Sequence, residues 1–155
     1  MTETFRIAAP VVGGCQCGAV RYALHVPRVE NAHACHCRMC QRAVGGAFAL
    51  LAGCPKPAVE WTRGEPAFFA SSSLARRGYC RDCGTPLSFS YDDPDARFYV
   101  TIGSLDDPEA AAIGKQYGVE SKLAWVSFCE DVPGERTGAT PEASAFFAGM
   151  TSNQS

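Results

Sequence analysis

The sequence predicts a mainly β domain built from antiparallel strands, and three observations indicate this class. Apolar and polar side chains alternate with a period of two through most patterned segments, as they do in strands with one buried face. Gly, Pro or Asp residues separate these segments and supply the turns. The chain has 155 residues, and since about 100 to 200 residues make one domain, residues 1–155 are expected to form a single domain.

Five strands are predicted from this alternation. The first places four apolar side chains on one face and two polar ones on the other, namely Val20, Tyr22, Leu24 and Val26 opposite Arg21 and His25. The apolar positions of the other four strands are Phe48 and Leu50; Leu87, Phe89 and Tyr91; Phe98, Val100 and Ile102; and Ala124, Val126 and Phe128. At strand spacing, the aromatic residues Phe68, Phe69 and Tyr91 are expected to belong to the core, and the alternative is that they line a pocket.

Two short helices are predicted, and both are expected at the periphery of the domain. Capping residues and terminal glycines define them, from Asp106 or Asp107 to Gly114 and from Thr140 to Met150. The core is expected within residues 13–135, with loose tails at residues 1–12 and 151–155.

Composition and charge argue against a nucleic-acid-binding, membrane-bound or secreted protein. The net charge of -2 gives no reason to expect nucleic acid or an anionic membrane as the partner, although residues 38–81 carry a net +5 and residues 82–142 a net -8. The sequence shows no signal peptide and no run of about 18 apolar residues. The expected location is the cytoplasm, where thiols stay reduced and clustered cysteines bind metal.

Most of the nine cysteines fall in three clusters, which are Cys15 and Cys17; Cys35, Cys37 and Cys40; and Cys80 and Cys83. Zinc binds thiolates at about 2.3 Å in a tetrahedron, so cysteines one or two residues apart can supply ligands from one tight turn. The same spacing strains a disulfide, and metal binding is therefore the first interpretation. A redox-active dithiol at Cys80 and Cys83 is the alternative.

Two of the clusters are followed by glycine, Cys17 by Gly18 and Cys83 by Gly84. The chain must reverse after the last ligand of such a turn and direct backbone N–H groups at sulfur, which favours a residue that tolerates positive φ. The two turns are therefore predicted to be halves of one four-cysteine site that holds a structural zinc and contributes to folding.

The middle cluster has three cysteines within six residues and a polar continuation in place of glycine. Three protein ligands with an open fourth position are typical of a catalytic zinc. The alternative is a closed site whose fourth ligand is Cys54, Cys129 or His33, although Cys54 and Cys129 are more typical of buried packing residues. His36 stands between two ligands, so we expect it to point away from the sulfur atoms toward a hydrogen-bond partner or solvent.

An open zinc with three thiolates suits a further soft ligand, which indicates a thiol substrate. Arg38 and Arg42 lie four residues apart and would share a helix face, where they can bind carboxylates of that thiol. The same function can be considered for three arginines near the last cluster, Arg76, Arg77 and Arg81. The alternative for all five is a solvated surface position.

These motifs together resemble the glutathione-dependent formaldehyde-activating (GFA) family, whose relatives include centromere-protein-V-like proteins. The resemblance rests on segments 14–20, 35–40, 79–87 and 102–108, and on Ser121, Lys122 and Trp125. It implies an Mss4-like fold of coiled antiparallel sheets held together by zinc. It also implies a structural zinc on Cys15, Cys17, Cys80 and Cys83 and a catalytic zinc on Cys35, Cys37 and Cys40.

The activity that the resemblance implies is that of a carbon-sulfur lyase that forms S-hydroxymethylglutathione. Glutathione is the first-choice thiol, and formaldehyde or another aldehyde is the carbonyl partner. Many members carry His where this sequence has Gln116, and Gln cannot exchange a proton. Two alternative functions remain, a glutathione-binding carrier without turnover and a zinc-stabilised module that contacts protein or nucleic acid.

Overall fold

The computed structural model describes residues 10–127, 133, 136 and 138–151. Its strands are β1 (Val11–Gly14), β2 (Arg21–Leu24), β3 (Glu30–Cys35), β4 (Ala49–Pro55), β5 (Val59–Arg63), β6 (Ala67–Ala70), β7 (Ala75–Tyr79), β8 (Pro86–Tyr91), β9 (Arg97–Thr101) and β10 (Lys115–Tyr117). The α-helices are α1 (Arg38–Val44) and α2 (Pro141–Ala148), and short 3-10 turns cover Lys56–Ala58, Ile102–Ser104, Pro108–Ala111 and Val119–Ser121. The prediction of a mainly β protein with short helices is confirmed.

The strands form two sheets. The smaller sheet has the order β1-β2-β5, and the larger has the order β10-β3-β4-β9-β8-β7-β6. All pairs are antiparallel except β10 with β3, which run parallel and set Tyr117 opposite Cys35. The strand β10 thereby lies directly beside the residues that open the middle cysteine cluster.

The main core lies between the two sheets. Tyr22 and Leu24 of β2 are fully buried against Leu87 and Val100 of the larger sheet. Burial of each such side chain contributes about 1.5 to 3 kcal/mol. Cys54 is also fully buried in this core, as predicted for a packing residue.

A second, smaller apolar cluster places α1 on the larger sheet. Its buried members are Cys40, Ala49 and Leu51, and Val44 and Phe89 pack against them. The helix packs on β4 of the larger sheet. This cluster supports the middle cysteine motif.

Four of the five predicted strands are present, whereas the fifth is wrong. Residues 124–127 form a turn and a bend, in which the N–H of Val126 donates to Leu123 O at 3.1 Å. Trp125 is 75% exposed, so no second strand covers the segment. Phe128 lies outside the described residues.

The two predicted helices have different outcomes. Only a 3-10 turn forms at Pro108–Ala111, because Asp106 pairs with Arg21 and the Asp107 side chain makes no capping bond. The second helix is confirmed as α2, with Thr140 Oγ1 accepting from Ala143 N–H at 3.1 Å.

Three aromatic residues do not lie in the core as predicted. Phe68 and Phe69 are 45% and 46% exposed because β6 is an edge strand, and Tyr91 is 49% exposed at the end of β8. Val11 and Val12 precede the predicted core, yet they pair with β2. Across the residues described, no helix has the length and apolar character needed to span a membrane.

Candidate metal centres

Four cysteine side chains converge where the turn between β1 and β2 meets the turn between β7 and β8. Their sulfur atoms all lie within 4.8 Å of one another, and they belong to Cys15, Cys17, Cys80 and Cys83. The Sγ atom of Cys17 is 3.6 Å from that of Cys15 and 3.8 Å from that of Cys80. The structure thus brings together the four residues for which the sequence predicted one site.

Both turns reverse direction at a glycine. The φ angle is 79° at Gly18 and 78° at Gly84, in the left-handed region that glycine adopts readily. The N–H of Gly18 donates to Cys15 O at 3.2 Å, and that of Gly84 donates to Cys80 O at 2.8 Å. The N–H of Val20 then reaches Cys15 Sγ at 3.2 Å, which favours the thiolate form of this sulfur.

Thr85 links the two turns, and sequence analysis did not identify it. Its hydroxyl accepts from the N–H of Gln16 at 3.0 Å and lies 3.1 Å from Cys83 Sγ, to which it can donate. Partial burial acts to raise the pKa of Cys83, but the hydroxyl and backbone N–H of Thr85 outweigh it and lower the pKa to about 6. A thiol with this pKa is largely ionised at neutral pH, as a metal ligand must be.

The second group consists of Cys35, Cys37 and Cys40, whose sulfur atoms also lie within 4.8 Å of one another. Cys35 is the last residue of β3, and Cys40 lies in the first turn of α1. Cys37 is the N-cap of that helix, and its Sγ accepts from the N–H of Cys40 at 3.3 Å. The strand end and the helix start therefore fix all three sulfur atoms.

The environment acts differently on two of these thiols. Burial raises the pKa of Cys35 to about 12. Burial also acts to raise the pKa of Cys37, but hydrogen bonds from the backbone N–H groups of Cys40 and Met39 and from the neighbouring thiols together lower the pKa below the usual value. A cation at the cluster would favour the ionised form of every sulfur, so metal binding would release protons.

None of the fourth ligands considered from the sequence joins this group within the described part of the chain. Cys54 lies in the main core, where burial raises its pKa to about 11. His33 packs edge-on against Tyr99 and Tyr117, and its Nδ1 is 2.7 Å from Asn31 O. Cys129 lies outside the described residues.

His36 is fully buried beside the cluster and has no contact with solvent. Its Nε2 lies 2.8 Å from Gln116 Oε1, which can only accept, so Nε2 carries a proton and donates. Its backbone N–H donates to Tyr117 O at 2.9 Å. Of the two outcomes expected for His36, the hydrogen bond is confirmed and the solvent contact is wrong.

The segment from β10 to the 3-10 turn at Val119–Ser121 forms the outer wall of the cluster. Gly118 has a φ of 63°, and a Cβ atom there would lie 2.8 Å from Cys37 N. Gln41 on α1 is buried, and its Nε2 donates to Ser121 O at 3.1 Å. These contacts hold the loop and the first turn of α1 together.

Arg38 and Arg42 are exposed on the face of α1 that the sequence predicted they would share. Arg38 Nη1 donates to Gln41 Oε1 at 2.5 Å, so its guanidinium is partly engaged by its own helix. The prediction that Arg38 and Arg42 share a face required a helix here, and α1 is that helix. Both side chains remain available to a ligand at the surface.

Arg77 is buried next to the three-cysteine cluster, although its position in the sequence suggests proximity to Cys80 of the other cluster. Its Nη2 donates to Cys40 Sγ at 3.3 Å, and the side chain belongs to the middle cluster. Strand alternation could have predicted this burial, because Ala75, Arg77 and Tyr79 share one face of β7. Arg76, on the other face, is exposed and 3.6 Å from Asp92.

Both sulfur groups fit zinc on the chemistry and spacing of their donors. Four thiolates complete a tetrahedron, whereas three leave one position for a further ligand. The fold and these two groups define the class of this protein, a small β protein with two cysteine clusters that could each hold a metal ion.

Comparison with known proteins gives the family. The profile of the family described as "Glutathione-dependent formaldehyde-activating enzyme" matches residues 10–120, and the chain belongs to this family. The match covers both cysteine clusters and the wall formed by β10.

One curated protein and one solved structure are similar to this chain. The chain is 26% identical over 112 residues to a Schizosaccharomyces pombe protein named "Uncharacterized lyase C29B12.13", covering 71% of this chain and 79% of that protein. A crystal structure of a Rhodobacter sphaeroides protein superposes with a TM-score of 0.52 at 22% identity, covering 68% of this chain and 98% of that one. This second similarity supports the fold alone.

Proposed function

We propose that the protein is a carbon-sulfur lyase of the GFA type that joins a thiol to an aldehyde. Glutathione is the first candidate for the thiol, and formaldehyde or another small aldehyde is the carbonyl partner. The observation that carries the proposal is that the two clusters differ in the number of sulfur atoms. Among the described residues, one cluster has four and the other has three. The family match and the lyase name of the yeast relative support the reaction class.

The two clusters are assigned different roles. Cys15, Cys17, Cys80 and Cys83 would hold a structural zinc, because four thiolates leave no position for a substrate. Cys35, Cys37 and Cys40 would hold the second zinc with one position open. When bound there, zinc supplies a positive centre that stabilises an incoming thiol as its thiolate.

The proposed reaction is an addition that needs no oxidant or reductant. The thiol sulfur forms a bond to the carbonyl carbon, the π bond of the carbonyl breaks, and the oxygen takes up the proton that the thiol releases. With formaldehyde the product is a hydroxymethyl thioether. The N–H of Cys40 donates to Cys37 Sγ, and Arg77 donates to Cys40 Sγ. Gln116 of β10 accepts from the His36 ring, which lies between the first two cysteines of the motif.

Arg38 and Arg42 are proposed to bind carboxylates of glutathione at the surface. They lie one turn apart on α1, and the helix begins at Cys37 of the cluster. Arginine suits this function because its planar fork can donate two parallel hydrogen bonds to one carboxylate. A single domain over residues 1–155 and a cytoplasmic location stay predictions.

A second candidate is a thiol carrier that binds the same ligand without turnover, and one observation favours it. Gln116 lies beside the cluster, but its Oε1 accepts from His36 and its amide cannot exchange a proton. Addition of a thiol to formaldehyde also proceeds without a catalyst, so binding alone would be a useful function.

The experiment combines zinc analysis, calorimetry and kinetics on protein purified without chelator. We expect two zinc ions per chain, binding of glutathione, and no binding of S-methylglutathione. Acceleration of thiol addition above the uncatalysed rate would support the lyase, whereas binding without acceleration would support the carrier. Failure to bind any thiol with both zinc ions present would overturn both functions.

Two cysteine variants give matched controls for this experiment. Cys37→Ala should bind one zinc fewer and lose glutathione binding. Cys54→Ala removes a thiol that lies outside both clusters and should retain two zinc ions and glutathione binding.

A further inference from the structure

Arg77 is the charged residue that the fold buries most completely among those described, at 6% exposed. Its guanidinium is held on three sides. Nη2 donates to Cys40 Sγ at 3.3 Å, Nε donates to Ser71 Oγ at 2.8 Å, and Cζ lies 4.8 Å from the centre of the Phe89 ring. These contacts fix the plane and the direction of the side chain.

These contacts leave some N–H donors of the Arg77 guanidinium without a described acceptor. A guanidinium carries five N–H donors, and two nitrogen atoms account for the hydrogen bonds that the described residues make. No described group accepts from Nη1. Cys40 Sγ, as a thiolate, would pair with the charge of Arg77, and an anionic ligand group would accept from the donors that remain.

A cavity of about 290 Å³ lies beside Arg77. Sites for small molecules begin at about 300 Å³, so its size fits a small ligand. Arg77 is the sole charged residue of its described lining, and Leu51, Phe69 and Tyr79 supply apolar and aromatic surface. The lining therefore suits a ligand with a short apolar body and one negatively charged end.

The cavity shares a wall with the three-cysteine cluster. Val44 and Leu51 line the cavity and also pack in the apolar cluster that contains Cys40. Arg77 lines the cavity and donates to Cys40 Sγ. A ligand in the cavity would therefore be close to the cluster where the proposed function places the thiol.

We propose that this cavity binds a carboxylate of the substrate, with Arg77 as the residue that recognises it. This inference rests on the proposed function and adds to it the cavity and the residue that would recognise a carboxylate, carried either by the thiol or by the carbonyl compound. Guanidinium suits the carboxylate because its parallel N–H groups match the two oxygen atoms. The exposed Arg38 and Arg42 do not line this cavity.

The first test compares two thiols of equal length on the zinc-loaded protein, 3-mercaptopropionate and 3-mercapto-1-propanol. If the carboxylate is carried by the thiol, the acid should bind at least tenfold more tightly by calorimetry. Propionate, which has no thiol, should weaken binding of the acid and leave binding of the alcohol unchanged. This comparison needs no variant and is independent of how substitutions affect folding.

The second test asks whether the carboxylate is carried by the carbonyl compound. With 3-mercapto-1-propanol as the thiol, glyoxylate should be consumed faster than glycolaldehyde relative to their uncatalysed rates. A preference in this experiment alone would assign the carboxylate to the carbonyl partner. Equal treatment of acid and alcohol in both tests would overturn the inference.

The variants identify the residue responsible. Arg77→Met should abolish the preference for the acid, and Arg77→Lys should retain part of it because the charge remains. Arg76→Met is the matched control, since its side chain points to the other face of β7, and it should keep the full preference. A full preference in folded, zinc-loaded Arg77→Met would overturn the assignment to Arg77.

The failure of this inference differs from failure of the proposed function. If the acid and the alcohol are treated equally in both tests and glutathione binds, the cavity has no role in recognition of a carboxylate but the thiol site stands. If neither thiol nor glutathione binds to protein with two zinc ions, the proposed function fails and this inference fails with it.

Discussion

At the scale of single residues, Cys37 combines two roles that are usually separate. It contributes a sulfur to the three-cysteine cluster, and the same sulfur caps α1 by accepting from the N–H of Cys40. Ser, Thr, Asp and Asn are the usual residues at this position. Cys37 therefore couples the start of the helix to occupation of the cluster.

The Cys37→Ala variant should fold and should hold one zinc fewer than the wild type. Loss of the cap costs about 0.5 to 2 kcal/mol, while the four-cysteine cluster is untouched. Zinc analysis and a thermal melt would measure both effects. An unfolded variant would show that this cluster also carries the fold.

The Cys83→Ala variant should behave differently, with loss of the structural zinc and of cooperative folding. Cys83 belongs to the group that ties the β1–β2 turn to the β7–β8 turn, and metal binding at such a group contributes directly to folding. Circular dichroism and zinc analysis provide the measurement, with Cys54→Ala as the folded control. A soluble, folded Cys83→Ala with unchanged zinc would contradict the four-cysteine pairing.

Gly118 is a second residue on which the middle cluster depends. A Cβ atom there would lie 2.8 Å from Cys37 N and 3.1 Å from Cys37 Cβ. Gly118→Ala should lower the free energy of unfolding by about 1 to 2 kcal/mol from backbone conformation alone and also weaken zinc binding. Gly114→Ala is the control because a Cβ there meets no atom within 4 Å, and it should change neither property.

At the scale of elements, β10 carries the hydrogen bonds that hold the middle motif. Gln116 accepts from His36 Nε2 at 2.8 Å, and Tyr117 O accepts from the His36 N–H at 2.9 Å. The side chain and the main chain of one short strand thus fix the residue between Cys35 and Cys37.

Replacement of Gln116 by Ala should remove the acceptor for the buried His36 ring. We expect a loss of about 1 kcal/mol in unfolding free energy and disappearance of the protected imidazole N–H signal in proton NMR. Lys115→Ala, at the exposed neighbouring position of β10, is the control and should retain that signal. An unchanged signal in Gln116→Ala would mean that another group holds the ring.

Local alternation was enough to predict β2, β4, β8 and β9, because each has one face in the core. It could not predict contacts that depend on chain topology. Arg77 lies three residues before Cys80 in the sequence. In the fold, however, β7 brings its side chain to Cys40, which lies 37 positions away. Asp106 likewise pairs with Arg21 of β2 instead of capping a helix.

The candidate site shows the same division. Cysteine spacing and the two following glycines were sufficient to predict both sulfur groups, because each turn is a local structure. The contacts that join these turns to other segments were not predicted, because Thr85 bonds to Gln16 and Gln41 bonds to Ser121, which lie far away in the sequence. Ser121 comes close to the cluster because β10 pairs with β3.

At the scale of the whole molecule, the two clusters occupy different positions relative to the core. The four-cysteine group lies where the smaller and larger sheets meet, and two of its members, Cys15 and Cys80, belong to the main core. The three-cysteine group lies on the smaller apolar cluster under α1. Metal at the first site would hold the two sheets together, whereas metal at the second would affect mainly α1.

Stepwise removal of metal should follow this arrangement. As chelator is added, the first zinc should leave from the three-ligand site, with thiol binding lost and the far-UV circular dichroism unchanged. The second zinc should leave at higher chelator concentration together with the fold. Loss of the fold with the first zinc would contradict the separation of roles.

The central claim is that one metal site is closed and the other takes the sulfur of the substrate. X-ray absorption at the zinc edge measures the mean number of sulfur ligands directly. We expect about 3.5 sulfur atoms per zinc without ligand, the mean of the four-sulfur and three-sulfur groups, and about 4 with glutathione. S-methylglutathione should leave the value unchanged. A mean of 4 before glutathione, or no increase after it, would contradict the claim.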